Sequence, residues 1–520
     1  MNTIKSHELT DSAVAVLRDL RARGVKLWSD AGRLRYKALQ EPLTSADLEA
    51  LKCHKSEIVA YLTKGMGAER APREPMASPH CESIPLSFSQ RLHWKTHDLS
   101  SRRSTRTVAS ATRIVGRLDV EALHRSFAET VRRHSALRTR IVVRNGVPLQ
   151  EFPESNAPSI QVFDLTAVSE PSLALEVDQS IEKLALERID VQTAPLLGAR
   201  VLRIREEEHI LIVAMEHLIG DAVSVNILLS ELFLAYRQAV KGGIFAWEDV
   251  PLQFSEHVLQ QLERRDRSFP HRIAAWDTRF REQRRLRFPE ASGLPAHRSG
   301  WGTLRFQMDG QLTDRLHDWS RRMCTTIVMT TLVAYVALVL RWCNVWETVV
   351  LYQTDGRVSP GTENALGYFA SVLFLPIKAT PAFTFLNMME EMIRQYCMAH
   401  DDADLYPIHT SISEHECAHN TCFNWRPKAA TPEISGLDAP KNAITVSRIP
   451  IEHSILEGVI VDVEPEMALV ETDVGIDILL GFARSKVSDE TMARFGHNFI
   501  TFLRALLDDP GQHLSGLRLL

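Results

Sequence analysis

The stretch AMEHLIGDAVS, at residues 214–224, places an aspartate four residues after a histidine, at the end of a hydrophobic run. A neutral histidine is a suitable general base near pH 7, and acyl transfer from a thioester needs the acceptor to lose a proton as it attacks. Asp221 can pin the local backbone or orient the ring of His217. The spacing is weak by itself, because a structural histidine is its commoner explanation, so its context matters.

Four other stretches occur with it in order along the chain. They are LSFSQRLHW at 86–94, RHSALRTRI at 133–141, TDGRVSPGTENALGYFASVLFLP at 354–376 and RFGHNFITFLRALLDDP at 494–510. Together with MEHLIGDAVS they resemble the ordered core motifs of nonribosomal peptide synthetase condensation domains, over roughly residues 84–520. Several motifs in register are far more specific than any one of them.

This resemblance implies a fold of two α/β lobes similar to chloramphenicol acetyltransferase, with a tunnel between them. Carrier proteins would deliver a phosphopantetheine-bound donor from one face and an acceptor from the other, so the enzyme would need no cofactor of its own. His217 would be the base or a positioning group, and Asp221 would pair with Arg357. Ser371 lies where many members of the family have an asparagine near the tunnel.

Two positions depart from the family's His-His-x-x-x-Asp-Gly pattern. Glu216 replaces the first histidine, and a carboxylate there could raise the pKa of His217 or hold its ring. Ala222 replaces the glycine and adds a methyl group that could trim the acceptor pocket. Drift without mechanistic meaning is an equally good interpretation of both changes.

The first 64 residues read as a separate small module. A helix around residues 13–20 is followed by two alternating runs at 25–39, which predict a β-hairpin, and by a helix that starts at Thr44 with a capping-box-like pattern. The stretch resembles the TubC-type docking domain, which captures the C-terminal tail of an upstream carrier protein. The candidate docking residues are Lys26, Arg33, Arg35 and Lys37. The alternative is that this basic row merely keeps an edge strand soluble.

Beyond the module, a linker rich in Pro, Gly and charge is predicted at 65–83. Helices and strands then alternate over two halves, which indicates an N-lobe at 84–255 and a C-lobe at 256–520. Within the N-lobe, Asp119 is the expected cap of a helix, and strands are predicted at 202–204 and 209–215.

Bulk properties exclude several classes of function. The net charge of −5 over 520 residues argues against nucleic-acid binding. The N-terminus lacks the apolar core of a signal peptide, and the apolar run at 325–340 reads as a buried helix, so a cytoplasmic protein without a membrane span is expected. HECAHNTC, at 415–422, fits no common zinc-finger spacing, and no metal site is expected.

These observations favour a condensation acyltransferase that moves a carrier-bound acyl chain onto a small-molecule or carrier-bound alcohol or amine. A free-standing layout with its own docking module suits chain release in a polyketide or nonribosomal peptide assembly line. Two alternatives remain open: a coenzyme A-dependent acyltransferase, and a catalytically inactive recruitment domain.

Overall fold

The protein is described here by a computed structural model. The described residues are 20, 25–30, 33–38, 45–55, 83–99, 107–154, 159–185, 189–243, 245–247, 251–268, 275–276, 278–279, 286, 288, 300–357, 361–402, 421–426, 444–449, 465–472 and 474–517. They fall into two compact units, Met1–Cys81 with Asp314–Thr331, and Glu82–Thr313 with Leu332–Leu520.

The N-terminal part forms the β-hairpin that its alternating pattern predicts. Strands β1 (Val25–Asp30) and β2 (Arg33–Ala38) run antiparallel, and their register pairs Lys26 with Lys37. Helix α1 (Ser45–Cys53) follows directly after the predicted start at Thr44. The predicted first helix lies outside the described residues except for Leu20, and so do the end of the third element and the linker up to residue 82.

Fourteen more strands and nine more helices occur among the described residues that follow. The strands are β3 (Ile84–Pro85), β4 (Thr107–Val115), β5 (Arg140–Arg144), β6 (Val147–Glu151), β7 (Gln161–Asp164), β8 (Leu197–Arg205), β9 (Glu208–Glu216), β10 (Trp301–Met308), β11 (Glu347–Thr354), β12 (Ser371–Lys378), β13 (Cys422–Arg426), β14 (Thr445–Ile449), β15 (Glu466–Thr472) and β16 (Gly475–Ala483). The helices are α2 (Phe88–Leu99), α3 (Val120–Arg133), α4 (Glu170–Ala185), α5 (Ala222–Val240), α6 (Phe254–Ser268), α7 (Gly310–Arg322), α8 (Ile327–Trp342), α9 (Phe385–Asp401) and α10 (Asp489–Asp508).

A five-stranded sheet with the order β14-β4-β9-β8-β7 carries the histidine motif. Its strand β9 is buried on both faces, which explains why the sequence there is a continuous apolar run. Residues such as Leu211 and Val213 pack with α3 and α5 in the main core, whereas Ile210 and Ile212 pack with α4 in a second core. The sheet is therefore held rigidly between two helical layers.

Helix α3 confirms the prediction that Asp119 caps a helix. The Asp119 side chain accepts a hydrogen bond from the Ala122 N–H, and Leu123, Phe127 and Val131 are buried. The predicted strand pair is also present, because β8 and β9 run antiparallel.

The second half of the chain forms a six-stranded mixed sheet with the order β10-β16-β15-β13-β11-β12. Helix α10 packs on β10 and β16 and buries the three phenylalanines Phe495, Phe499 and Phe502. A small three-stranded sheet has the order β3-β6-β5. Its strands alternate along the chain with those of the five-stranded sheet.

One strand departs from a simple division into halves. Strand β14, far beyond residue 256, pairs antiparallel with β4 at the edge of the five-stranded sheet. The chain thus crosses back to the N-terminal half. The domain limits 1–64, 65–83, 84–255 and 256–520 remain a prediction.

Within the described part of the chain, no single helix combines the length and apolar character needed to cross a membrane.

Candidate active site

His217 lies where a fully buried strand gives way to a helix. Strand β9 ends at Glu216, a single 3₁₀ turn spans His217–Ile219, and α5 begins at Ala222. The Nδ1 atom of His217 is 2.9 Å from the carbonyl oxygen of Gly220. Since a carbonyl only accepts hydrogen bonds, Nδ1 carries the proton and donates it. The other ring nitrogen, Nε2, is therefore the one with a free lone pair in the neutral ring.

His217 has buried neighbours along the chain yet is itself partly exposed to solvent. The residue is half-buried, whereas both of its neighbours in the chain are buried. Burial lowers its pKa from 6.5 to about 4, with the nearby His93 acting in the same direction. His217 is thus a neutral imidazole throughout the physiological pH range. Its partial exposure means that the residue is not sealed within the core.

Asp221 accepts several hydrogen bonds that connect the segments of the site, and it is not a direct partner of the histidine ring. It caps α5, and its Oδ1 accepts hydrogen bonds from the backbone N–H and the hydroxyl of Ser224, both at 2.8 Å. Its Oδ2 accepts from the backbone N–H groups of Phe369 and Ala370, both at 3.0 Å. Asp221 thereby ties the start of α5 to the segment that leads into β12.

Arg357 completes the shell around Asp221. Its guanidinium donates from one nitrogen to Oδ2 at 2.8 Å and from the other to Oδ1 at 3.0 Å, the bidentate geometry that arginine and carboxylate favour. Burial opposes ionisation of Asp221, but Arg357 and the Ser224 hydrogen bonds hold its pKa below the ordinary value. The guanidinium also lies 4.6 Å from the centre of the Phe369 ring. The structure therefore brings together Asp221 and the arginine that the sequence assigned to it.

Gly356 explains how Arg357 reaches this position. It has φ +64°, and a Cβ placed on it would lie 1.9 Å from the Phe369 carbonyl oxygen. Only glycine fits such a left-handed conformation at such a close backbone approach. The TDGR turn is thus built to pass directly against the segment that precedes β12.

Three further groups surround the His217 ring. Tyr368 lies edge-on to it with ring centres 4.7 Å apart, and His93 of α2 lies 5.4 Å away. The Nε2 atom of His93 is 3.8 Å from Oε1 of Glu216, and both residues are buried. Glu216 therefore faces His93. Its carboxylate pulls the pKa of His217 upward, as the sequence expectation held, but burial and His93 outweigh it, so the net shift is downward.

The remaining predicted residues are spread more widely. Ser371 is half-buried at the first position of β12. It directly follows Ala370, whose backbone N–H donates to Asp221. Ala222 is the first residue of α5, and its side chain is exposed, so its effect on an acceptor pocket stays a prediction. The candidate docking residues occupy the hairpin β1–β2.

Sequence reasoning missed His93, Tyr368 and Ser224. Each of them lies inside a motif that was quoted whole, LSFSQRLHW, ALGYF or GDAVS, so the signal was present but was not resolved to single side chains. His134, in the motif RHSALRTRI, has a structural environment instead. It is buried, and its Nε2 lies 2.6 Å from Oε2 of Glu231.

The described residues contain no group of three or more His, Cys, Asp or Glu side chains able to hold a metal ion. Most of the stretch HECAHNTC, up to residue 420, lies outside them. The chemistry available at the site is thus that of a neutral imidazole with a free Nε2, rigidly oriented and next to a compensated ion pair. Such a group can accept a proton from an attacking hydroxyl or amine.

Comparison with known proteins gives this arrangement its family. The condensation domain model matches residues 81–520, and the TubC N-terminal docking domain model matches residues 14–64. The chondramide synthase of Chondromyces crocatus is 24% identical over 463 residues, which cover 88% of this chain. The chain spans only 12% of the length of that relative.

Two solved structures share the fold. One, described as the molecular basis for condensation domain-mediated chain release from the enacyloxin polyketide synthase, has a TM-score of 0.65 at 20% identity and covers 99% of both chains. The other, a complex of the X-domain and OxyB from teicoplanin biosynthesis, has a TM-score of 0.69 at 19% identity and covers 84% of this chain and 96% of that one.

These matches confirm both the fold class and the resemblance that the motifs indicated. Members of the matched family transfer acyl groups that partner carrier proteins hold on phosphopantetheine. The chain belongs to the condensation-domain family of nonribosomal peptide and polyketide assembly lines, and it carries a TubC-type docking domain ahead of its condensation domain.

Proposed function

We propose that this protein transfers an acyl chain from the phosphopantetheine thioester of a carrier protein to an alcohol or amine, with His217 as the base. The observation that carries the proposal is the state of that ring: the Nδ1–H donates to Gly220, Nε2 is unprotonated, and the residue keeps solvent access. A histidine with a purely structural role would have both nitrogens engaged within a closed core.

The reaction balances without a further reactant. The acceptor oxygen or nitrogen attacks the thioester carbonyl while its proton passes to Nε2 of His217. The tetrahedral intermediate then collapses, the carbon–sulfur bond breaks, and the proton goes to the departing phosphopantetheine sulfur. The products are an ester or amide and a free carrier thiol. The Asp221–Arg357 pair holds the turn and α5 in place during these steps.

Chain release is the form of this reaction that we favour, and an alcohol the acceptor. The supporting observation is the structural neighbour from the enacyloxin polyketide synthase, which matches the chain over both the docking and the condensation domain. An alcohol is a poorer nucleophile than an amine, so ester formation depends more strongly on a correctly placed base.

A direct test uses the full chain with a carrier protein whose phosphopantetheine carries a decanoyl group. The loaded carrier is offered a panel of diols, amino alcohols and amines, and intact-mass analysis follows the loss of the acyl group while chromatography identifies the product. We expect ester or amide product with the parent protein. His217→Ala should lower the rate by about a hundredfold or more, the usual contribution of general base catalysis.

The matched control is His209→Ala, since His209 is a buried histidine on the same strand, at its far end. This variant should retain transfer. Unchanged turnover in His217→Ala would refute the assignment of the base.

The same assay decides between the proposal and its alternatives. Equal use of decanoyl-coenzyme A and the decanoyl carrier would identify a coenzyme A-dependent acyltransferase. The departures at Glu216 and Ala222 favour an inactive recruitment domain as the second candidate. A complete lack of product with every acceptor, together with retained binding of the carrier, would support that candidate.

A further inference from the structure

Tyr368 lies beside the proposed base, and its hydroxyl group has no role in the reaction described above. Its ring is edge-on to that of His217, with the ring centres 4.7 Å apart, and the residue is only 5% exposed. A buried tyrosine hydroxyl usually finds a hydrogen-bond partner. The Tyr368 hydroxyl makes no hydrogen bond to any residue in the described part of the chain, yet its oxygen is not sealed from solvent. The hydroxyl is therefore available to a bound molecule.

The backbone on both sides of Tyr368 is fixed by the start of α5. The Gly367 N–H donates to Oγ of Ser224 at 3.1 Å. On the other side, the Phe369 N–H donates to Oδ2 of Asp221 at 3.0 Å. The Tyr368 ring is thus held in place before any reactant binds, as a group that stabilises a transition state has to be.

The two neighbouring rings offer complementary hydrogen-bonding groups. Burial, with a smaller contribution from the Asp221 carboxylate, raises the pKa of Tyr368 above its ordinary value of 10, so the phenol keeps its proton and is a neutral donor. The Nδ1–H of His217 donates to Gly220, which leaves Nε2 as an acceptor. A molecule bound against both rings would meet one donor and one acceptor.

Acyl transfer from a thioester needs this combination. As the acceptor attacks, it loses a proton, and the thioester carbonyl oxygen becomes an oxyanion. Nε2 of His217 can take the proton, and a preorganised donor can stabilise the oxyanion. Asp221, Arg357 and Ser224 are already engaged with one another. Their hydrogen bonds hold the site together, whereas the hydroxyl of Tyr368 is left for the substrate.

We propose that Tyr368 is a further catalytic residue, whose hydroxyl donates a hydrogen bond to the carbonyl oxygen of the bound thioester and a stronger one to the oxyanion of the tetrahedral intermediate. The phenol keeps its proton throughout, so the balance of the reaction is unchanged. The proposal rests on the proposed function of His217 as the base. Nε2 takes the proton of the acceptor, and Tyr368 stabilises the charge that develops on the donor.

The first test is Tyr368→Phe in the full chain, assayed with the decanoyl carrier and an acceptor that the parent protein uses. Loss of one oxyanion donor typically lowers kcat about a hundredfold, and we expect that loss while KM for the loaded carrier stays within about twofold. The urea midpoint should equal that of the parent, because the described part of the chain loses no hydrogen bond. Tyr352→Phe is the matched control, since it removes the same group on β11, where the ring packs edge-on against Tyr396. This variant should keep the kcat of the parent.

The second test observes the thioester carbonyl without turnover. The decanoyl carrier is labelled with carbon-13 at that carbonyl, and its infrared stretch is recorded free and bound to the protein, with no acceptor present. A hydrogen bond from Tyr368 weakens the C=O bond and should lower the stretching frequency on binding to the parent protein. Binding to Tyr368→Phe should leave the frequency unchanged.

An unchanged kcat in Tyr368→Phe, an equal loss in Tyr352→Phe, or an effect on KM alone would overturn the proposal. A carbonyl frequency that is the same in the complexes of the parent and of Tyr368→Phe would also overturn it. If the parent protein transfers no acyl group to any acceptor, the proposed function fails, but the infrared measurement still decides whether Tyr368 contacts the thioester.

Discussion

At the scale of single residues, the low pKa of His217 is the property with the clearest consequence. Burial keeps the ring neutral down to about pH 4, well below its ordinary value of 6.5. The neutral form is the one that accepts a proton, so the fraction of competent enzyme is constant across neutral and mildly acidic pH. The low pKa also makes His217 a weaker base, because a base of lower pKa has less driving force to take a proton from the acceptor.

We therefore predict that kcat/KM for transfer is flat from pH 8 into the acid range and falls only near pH 4. The measurement is a pH–rate profile with the decanoyl carrier, in which each sample is returned to pH 7 and assayed again to exclude inactivation. A fall in kcat/KM between pH 7 and pH 6 would contradict the assignment, since an exposed histidine titrates in that range.

The burial of His217 also makes the folded protein less stable in acid. The unfolded chain takes up the His217 proton near pH 6.5, whereas the folded chain does so only near pH 4. Folding thus loses stability from this residue as the pH falls through that window, and it loses none above it.

Asp221 and Arg357 form the buried ion pair on which the geometry of the site depends. Removing one partner of such a pair leaves a buried charge uncompensated, which typically costs about 3–5 kcal/mol. We predict this loss for Arg357→Ala at pH 7, measured by urea unfolding. The pKa of Asp221 is lowered in the folded protein, so its contribution is present above the unfolded pKa and is lost as the pH falls through the folded value. The difference between variant and parent should therefore shrink in acid.

Arg132→Ala is the matched control for this prediction. Arg132 pairs with Glu129 one turn away, but its side chain is 73% exposed. Surface pairs contribute about 0–1 kcal/mol, so this variant should unfold close to the parent. Equal losses in the two variants would mean that the Asp221–Arg357 pair is not the support of the site.

At the scale of elements, the site is assembled from the connection between β9 and α5 and the turn after β11, which are joined by the Asp221–Arg357 pair. The turn after β9 presents His217, the N-terminus of α5 presents Asp221, and the turn after β11 presents Arg357. Each of these segments follows a buried strand or begins a buried helix, so none can shift without disturbing the core.

Gly356 is the point at which this assembly is most easily broken. Gly356→Ala adds left-handed strain and places a Cβ 1.9 Å from the Phe369 carbonyl oxygen, so the turn must move and carry Arg357 away from Asp221. We predict a lower urea midpoint together with a loss of transfer activity, which the decanoyl assay measures.

Gly361→Ala is the control that separates the backbone strain of a left-handed alanine from the steric clash expected at position 356. Gly361 also has a positive φ, +86°, but a Cβ there meets nothing within 4 Å. That variant should lose only the cost of a left-handed alanine, about 1–2 kcal/mol, and should keep its activity. If the two alanine variants behave alike, the close approach at Gly356 is not what fixes Arg357.

These elements also show where prediction from sequence works and where it stops. Asp119 as a cap correctly predicted α3, and the continuous apolar run correctly predicted β9. Both signals are local in the sequence. The pairing of β14 with β4 was not foreseen, since five residues of ordinary strand composition do not specify a partner more than 300 positions away. The contact between His93 and Glu216 was missed for the same reason: α2 and β9 are adjacent only in space.

At the scale of the whole molecule, the chain combines a small docking unit with a catalytic one. The hairpin β1–β2 has the register that pairs Lys26 with Lys37 and Trp28 with Arg35. Because residues alternate between faces along a strand, the sequence predicts that Arg33, Arg35 and Lys37 share one face of the hairpin. We propose that this basic row captures an acidic carrier tail, a role separate from the chemistry that we propose for His217.

This separation leads to a prediction about rate. Reversing Arg33, Arg35 and Lys37 to glutamate should repel an acidic tail and slow transfer from a carrier protein that ends in such a tail, mainly through KM, since attraction between opposite charges governs encounter more than chemistry. The measurement compares one decanoyl carrier with and without a fused acidic C-terminal tail. The tail should accelerate transfer by the parent protein, the effect should weaken as salt is raised, and the triple variant should show no benefit from the tail.

Substitution of the same three residues by glutamine is the companion variant, because it removes the charge without reversing it and should give an intermediate rate. With the tail-less carrier all three proteins should perform equally, since their catalytic units are identical. If the tail benefits the triple glutamate variant as much as the parent, the basic row only keeps the hairpin edge soluble, and the carrier must be recognised by another surface of the chain.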